Sequence, residues 1–249
     1  MRVAMGLVVS ALVLSAVEAS AQSAVPLPAP DFLIGRPHFS VGVRGGWTFA
    51  SGGSDWYDFV TENLTLENQD FNWPTVAFDF GVAASNRLDV VASLDFGRST
   101  TPSEYRDFVD NLRLPIQQLT SLRQTSLTGG AKFYLFDRGR QVGRLAWVPR
   151  SVVPFVGGGA GVLWYHMRQH GDFVDYVDYS VFPDLFESGS AVPTAHVFGG
   201  VDIRMWRRLY ATFDVRHHWA AGDLGPEWID FDPIDLTGTR VSAGINVAF

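Results

Sequence analysis

From Phe39 to the C-terminus, apolar side chains recur at every second position in eight separate stretches. The last is the clearest. Val241, Ala243, Ile245, Val247 and Phe249 alternate with Arg240, Ser242, Gly244, Asn246 and Ala248. A period of two is the mark of a strand with oil on one face only. The first stretch sets Phe39, Val41, Val43, Gly45, Trp47 and Phe49 against Ser40, Gly42, Arg44, Gly46 and Thr48. Comparable alternation runs near Trp73–Ala84, Leu88–Gly97, Gln118–Leu135, Val152–Met167, His196–Met205 and Leu209–Trp219, with Val91 the one misfit in the third. In the fifth, the pattern places Val156, Ala160, Val162 and Trp164 outward and Gly157, Gly159 and Gly161 inward.

The connections alternate in length. Ser85-Asn86-Arg87, the arginine-rich 136–150 segment and Trp206-Arg207-Arg208 join strands at one end; long loops at 51–72, 100–116, 171–189 and 222–234 join them at the other. The second long loop has room for a short helical turn. An even strand number with shorter turns at one end and long loops at the other describes an all-β protein, a closed antiparallel eight-stranded transmembrane barrel. Closure is required because an open edge in lipid leaves unpaired amide groups. The long loops carry most of the acids: Asp55, Asp58, Glu62, Glu67 and Asp70; Asp172, Asp175, Asp178, Asp184 and Glu187; Asp223, Glu227, Asp230 and Asp232. This asymmetry puts the short turns in the periplasm and the acidic loops outside.

The same alternation would serve a soluble lipocalin-like barrel with its apolar set pointing inward around an oily ligand. The other face decides between the two. It is small and sparse, with Gly42, Gly46, Gly81, Gly97, Gly130, Gly200 and Gly244, and the chain has a single lysine, Lys132. A face in water would carry many more charges. Those present nearly balance, and a narrow lumen needs balanced charges because an unpaired buried ion is costly. The expected lumen network is Arg44, Asp79, Asp89, Asp95, Lys132, Asp202, Arg204, Asp214, Arg216, His218 and Arg240.

Residues 1–21 read as a secretory leader: a positive Arg2, an apolar run from Val3 to Val17 and a small-residue cleavage site at Ala19-Ser20-Ala21. Residues 22–37 form a Pro-rich periplasmic segment, and 38–249 the barrel. No later stretch approaches 18 charge-free apolar residues, so no helical span is expected after the leader. There is no cysteine, which removes disulfides, thiolate metal sites and thiol chemistry. The net charge of -7 argues against nucleic acid as a partner.

The leader, the eight alternating segments, the glycine-rich PFVGGGAGV strand at residues 154–162 and the terminal INVAF together resemble the small bacterial outer-membrane β-barrel superfamily, which includes porin-family, OmpA-like and OmpW-like barrels. The resemblance covers roughly residues 39–249. It implies a Gram-negative outer membrane, with outer-membrane lipid and lipopolysaccharide as surroundings. It likens Phe249 to the C-terminal aromatic of the assembly signal read by the barrel-assembly machinery. The two-domain OmpA plan, with a peptidoglycan-binding domain, is not expected.

Candidate chemistry is thin. The 157–161 glycine run lacks the Lys-Ser/Thr and helix of a phosphate loop, and close packing in a narrow barrel accounts for it. Some barrels of this resemblance are lipid A deacylases with a His/Ser pair in which Ser stands two residues beyond the His, followed by Asn. After His217 and His218 the chain has Trp219 and Ala220, so that nucleophile is missing and a lumen role for His218 is expected. His166 and His170 share a strand face, without a third metal ligand. The acidic loops lack the spaced calcium-loop pattern. No cofactor and no metal are expected. Loop aromatics, among them Trp56, Tyr57, Phe59, Phe173, Tyr176, Tyr179, Phe182, Phe186 and Trp228, are expected to pack over the barrel mouth, with binding of a partner or saccharide as the alternative. The expected role is a structural or narrow passive-pore barrel. The alternatives are a surface adhesin and, third, a lipid-modifying enzyme using His218.

Overall fold

The computed structural model describes residues 32–226, 228, 229 and 231–249. The leader at 1–21, the beginning of the Pro-rich segment, and the loop acids Glu227 and Asp230 lie outside the described residues. Eight antiparallel strands form the barrel: β1 Phe39–Ala50, β2 Trp73–Ala83, β3 Leu88–Val109, β4 Pro115–Tyr134, β5 Val152–Val174, β6 Val181–Arg204, β7 Leu209–Trp219 and β8 Gly238–Ala248. Each strand pairs with its neighbour in sequence, and β8 pairs with β1, Val247 opposite Val41 and Ile245 opposite Val43, so the ring is closed.

The alternation sets the wall. Phe78 on β2 is 52 % exposed on the outside, whereas Arg44 on the inside of β1 is 4 % exposed. Val43, Val90, Leu127, Val156, Val197, Phe213 and Ile245 repeat the outward pattern around the ring. On β5, Val156, Ala160, Val162 and Trp164 face out while Gly157, Gly159 and Gly161 face in. Glycine is needed there: a Cβ on Gly161 would stand 2.1 Å from the Leu127 carbonyl oxygen, inside contact range. Val91 faces inward and packs against Tyr134, Val153, Phe155 and Phe198, which explains why it broke the apolar-out rule.

Two expected loops are strands. β3 and β4 continue into a hairpin turned by residues 110–114, and β5 and β6 into one turned by 175–180, replacing most of the loops expected at 100–116 and 171–189. The apolar phase inverts in these extensions. Outward positions become Arg98, Thr100, Arg123 and Arg168, while inward positions become Tyr105, Ile116, Leu122, Met167 and Phe173. The pairing persists although the apolar-out alternation stops.

The helical turn expected in 100–116 is absent; the helix is in the first long loop instead. Asp55–Asn63 (α1) buries Trp56, Tyr57 and Val60, one apolar stripe along a short helix, with Asp55 and Asp58 in its first turn. A 3-10 turn at Asn68–Phe71 follows. These elements, with Leu224, Trp228, Phe231, Ile234 and Leu236, lie in one apolar core with the inward faces of the two long hairpins: Trp56, Leu64, Leu66, Leu122, Met167, Ile234 and Leu236 are each at most 2 % exposed.

At the opposite, short-turn end, Leu33–Ile34 pairs with the first two residues of the short strand Ala146–Pro149, whose four residues pair with Gly139–Val142. The start of β1 meets Phe249 there: the backbone N–H groups of His38 and Phe39 donate to the Phe249 carbonyl, and the Phe249 N–H donates to the Phe39 carbonyl.

Candidate functional site

The inward faces below the cap bring charges from distant strands into contact. Arg44 on β1 is the hub. Its Nε and Nη2 donate to Asp79 at 2.5 and 2.9 Å, and its Nη1 donates to both carboxylate oxygens of Asp214 at 2.9 Å and to Ser242 at 3.0 Å. The planar guanidinium fork suits this division, since its donors address two carboxylates from different directions. Ser93 donates to Asp79 at 2.6 Å, and Ser242 hydrogen-bonds Asp214. One layer nearer the cap, Arg240 on β8 reaches across to Asp95 on β3 and donates to Thr48 at 3.1 Å. One layer nearer the turns, Lys132 on β4 pairs with Asp202 on β6 at 2.7 Å, and Thr212 donates to the other Asp202 oxygen at 2.8 Å.

Aromatic rings finish this lower layer. The Lys132 ammonium stands 3.7 Å from the Phe155 ring centroid, and the Arg216 guanidinium 4.8 Å from that of Phe198. Arg216 lies 3.9 Å from Asp214. Tyr134 donates to Asp89 at 3.0 Å, and Arg138 joins the same oxygen at 2.9 Å. Of the eleven expected lumen residues, ten are thus drawn into buried or nearly buried positions inside the wall, while Arg204 is half-buried at the turn-end terminus of β6. Sequence reading did not single out Arg138, His196, Phe155 or Phe198. Phe155 and Phe198 were detectable in principle as aromatics on the inward parity of β5 and β6. Arg138 sits in the connection 135–151, where no periodicity reports facing.

The remaining spaces in the lumen are small. A cavity of about 40 Å³ lies beside Arg44, Asp79 and Lys132, and one of about 20 Å³ beside Asp95, His196, His218 and Arg240. Each is on the scale of one or a few waters. The Arg44 and Arg240 bridges span the lumen between these spaces.

The histidines divide by face. His218 points inward, is 7 % exposed, and its Nδ1 has no hydrogen-bond partner, so no hydroxyl is poised on that nitrogen. His217 points outward with its ring 4.6 Å from Trp219 and its Nδ1 2.9 Å from the Thr239 hydroxyl. His166 and His170 both face outward on β5; four steps along the strand separate them by about 13 Å, too far to share an ion. Among the described residues, no group of three or more His, Asp or Glu side chains is placed to hold a metal.

The cap gathers the loop aromatics. Trp56 meets Tyr57, Phe71 and Trp228 edge-on, with centroids 5.0, 5.6 and 6.2 Å away, and Phe186 and Phe231 close on Trp228. Burial, and then the Asp235 carboxylate, push the Tyr57 phenol well above its usual value. Tyr165 ties the cap to the wall by donating to the Asp223 carbonyl at 2.5 Å. The hairpin tips sit side by side: Phe108 stacks on Tyr179 at 6.0 Å and meets Tyr176 edge-on at 5.9 Å. Leu112 and Val177 at the tips are 77 and 91 % exposed.

No protein-family model matches the chain, and no curated protein sequence matches it. Solved structures of small outer-membrane barrels do resemble it. Neisserial surface protein A is 12% identical, with 85% of this chain and 97% of that one covered and a TM-score of 0.46. The outer membrane protein OprG of Pseudomonas aeruginosa is 13% identical, covering 87% and 99%, with a TM-score of 0.44. Ail, the attachment invasion locus protein of Yersinia pestis, is 11% identical, covering 86% and 100%, with a TM-score of 0.42.

Proposed function

We propose that this chain is an integral outer-membrane barrel whose lumen is closed by its own side chains and which holds a folded cap at the cell surface. The observation that carries this reading is the exposure of large apolar side chains on the outside of every strand, such as Val41, Phe78, Val90, Leu127, Val156, Val197, Phe213 and Val241, around an ion-paired interior. A soluble protein does not leave a continuous band of that size in water. A bilayer covers it, and a closed ring leaves no unpaired edge. The role is structural, without catalysis. An eight-stranded ring leaves room for little beyond side chains, and here the Arg44 and Arg240 bridges occupy it. Lipid surrounds the belt. The terminal strand, ending on the exposed Phe249, is the segment offered to the barrel-assembly machinery.

Planar-bilayer recording of the refolded protein tests the closed lumen. Silence is expected; a reproducible single-channel conductance favours the passive pore instead.

A second reading has its own support. The exposed Leu112, Val177 and Tyr179 at adjacent hairpin tips suit recognition of a surface partner. Removing residues 110–114 and 175–180 would then abolish attachment to that surface while leaving heat-modifiable folding intact; unchanged attachment removes the idea.

A further inference from the structure

Where the apolar phase inverts, the outward faces of three neighbouring strands carry a basic row. Arg98 on β3 lies directly opposite Arg123 on β4, and Arg123 lies directly opposite His166 on β5. All three are exposed. The row immediately below, toward the apolar belt, is Phe96, Thr125 and Trp164. Strands lie about 4.8 Å apart, so the two guanidinium groups rise from backbone positions about 5 Å apart. Like charges directly opposite one another destabilise a sheet. No carboxylate offsets them: Arg98 donates to the Thr100 hydroxyl at 3.1 Å, and among the described residues neither Arg98 nor Arg123 is in an ion pair with an acid. Further out, Arg168 is already matched to Glu187 at 2.5 Å. The row is therefore a local positive excess on a chain of net charge -7, between an apolar belt and acidic loops.

We propose that Arg98, Arg123 and His166 form an anion site at the membrane boundary that takes the phosphate groups of outer-leaflet lipid headgroups. The proposal rests on the membrane-spanning reading above, which sets the height of the row. Arginine forks match phosphate oxygens in pairs, and a phosphate lodged between two of them turns their repulsion into attraction. Trp164 directly beneath supplies an aromatic ring at the depth where chain and headgroup meet. The anion comes from the lipid because the site opens sideways, continuous with the belt, rather than into the lumen or the cap.

The test uses the full refolded protein in phosphatidylcholine vesicles, titrated with lipid A, a glycolipid bearing phosphate monoesters, and with the same lipid after phosphatase treatment. The unsubstituted chain should prefer the phosphorylated lipid. The Arg98→Gln/Arg123→Gln variant should lose about thirty-fold in affinity for it, at the usual contribution of each cation near a charged surface. Arg98→Lys/Arg123→Lys should keep most of the binding. Equal affinity of the Gln variant and the unsubstituted chain, both inserted and heat-modifiable, overturns the site while leaving the barrel reading in place. Inorganic phosphate binding as tightly as the lipid overturns the lipid assignment in favour of a free anion. A chain that will not insert into vesicles at all overturns the membrane reading itself.

Discussion

The same strands obey opposite rules in their two halves. Between the short turns and the Arg98–Arg123–His166 row, apolar residues point outward and ions point inward. Beyond that row, β3 to β6 continue to pair, with one irregularity between Glu104 and Val109, but Tyr105, Ile116, Leu122, Met167 and Phe173 point inward and mostly polar residues outward. Backbone geometry is shared, so the backbone cannot be the cause. In the membrane-spanning reading proposed above, what differs is the medium against the outer face. Oil outside demands apolar side chains there and leaves the ions to neutralise one another within. Water outside restores the ordinary arrangement, in which the hydrophobic effect gathers the cap core. The inversion marks the boundary between the two media along a single strand.

Substitutions in the two halves should differ in kind, and the lumen charges should show the largest effect. Arg44→Met strands Asp79 and Asp214 in the lumen without their shared cation. It should destabilise the barrel by about 3–5 kcal/mol, as measured by urea unfolding in detergent micelles. Neutralising all three positions together (Arg44→Met, Asp79→Leu, Asp214→Leu) should recover most of that loss, which a simple steric role for Arg44 would not allow. Next, an arginine on the outer face should be tolerated by height. Val43→Arg, within the belt, should cost about 2–4 kcal/mol; Leu119→Arg, on the outer face of β4 beyond the boundary, should leave the unfolding midpoint unchanged. Similar costs at the two positions would mean that both face the same medium.

Third comes a one-methylene deletion. Ile234→Val in the cap core should cost about 1 kcal/mol, because the cavity persists in a packed interior. Ile245→Val on the outer wall should cost less, since lipid fills the space. The smallest effect belongs to the turn end. A hydrogen bond from Arg87 holds the Asp137 carboxyl below its usual value. A depressed folded value means that any stabilisation is present above the unfolded pKa of about 3.9 and is lost as pH falls through the folded one. Both side chains are about half exposed, so Asp137→Asn should give no resolvable change in the midpoint at any pH above 5.

Within the half proposed to span the membrane, the fold was legible because apolar side chains hold one parity along every strand, as a lipid-facing wall requires. Eight alternating runs give eight strands, and even the glycine-rich β5 faces as its Val156, Ala160, Val162 and Trp164 pattern indicates. Above the boundary, the same search failed for a physical reason. It looked for apolar side chains on one parity, and at Arg98 and Arg123 that parity becomes polar, so residues 100–104 and 171–174 read as loop although the ladder continues there. A second scan for the opposite phase would have found Tyr105, Leu122 and Met167. The helix at Asp55–Asn63 was hidden differently. Nine residues give barely two turns of period, and its Trp56, Tyr57 and Val60 stripe is held by tertiary contacts with Phe71 and Trp228. The inward charges could be named from parity alone. Their partners could not, because Arg44 to Asp214 and Arg240 to Asp95 are contacts across a curved wall, set by stagger and not by spacing in the chain.

Lipid contact with the outer face up to the basic row and not beyond can be read directly in a chain that carries no cysteine of its own. Single substitutions Leu127→Cys, Leu119→Cys and Leu122→Cys along β4 would each be nitroxide-labelled in reconstituted vesicles, and collision rates read with oxygen and with a water-soluble nickel chelate. Leu127 should favour oxygen and Leu119 the chelate, while Leu122, inside the cap, should be shielded from both. A label at Leu127 that meets the chelate as freely as one at Leu119 would contradict the account.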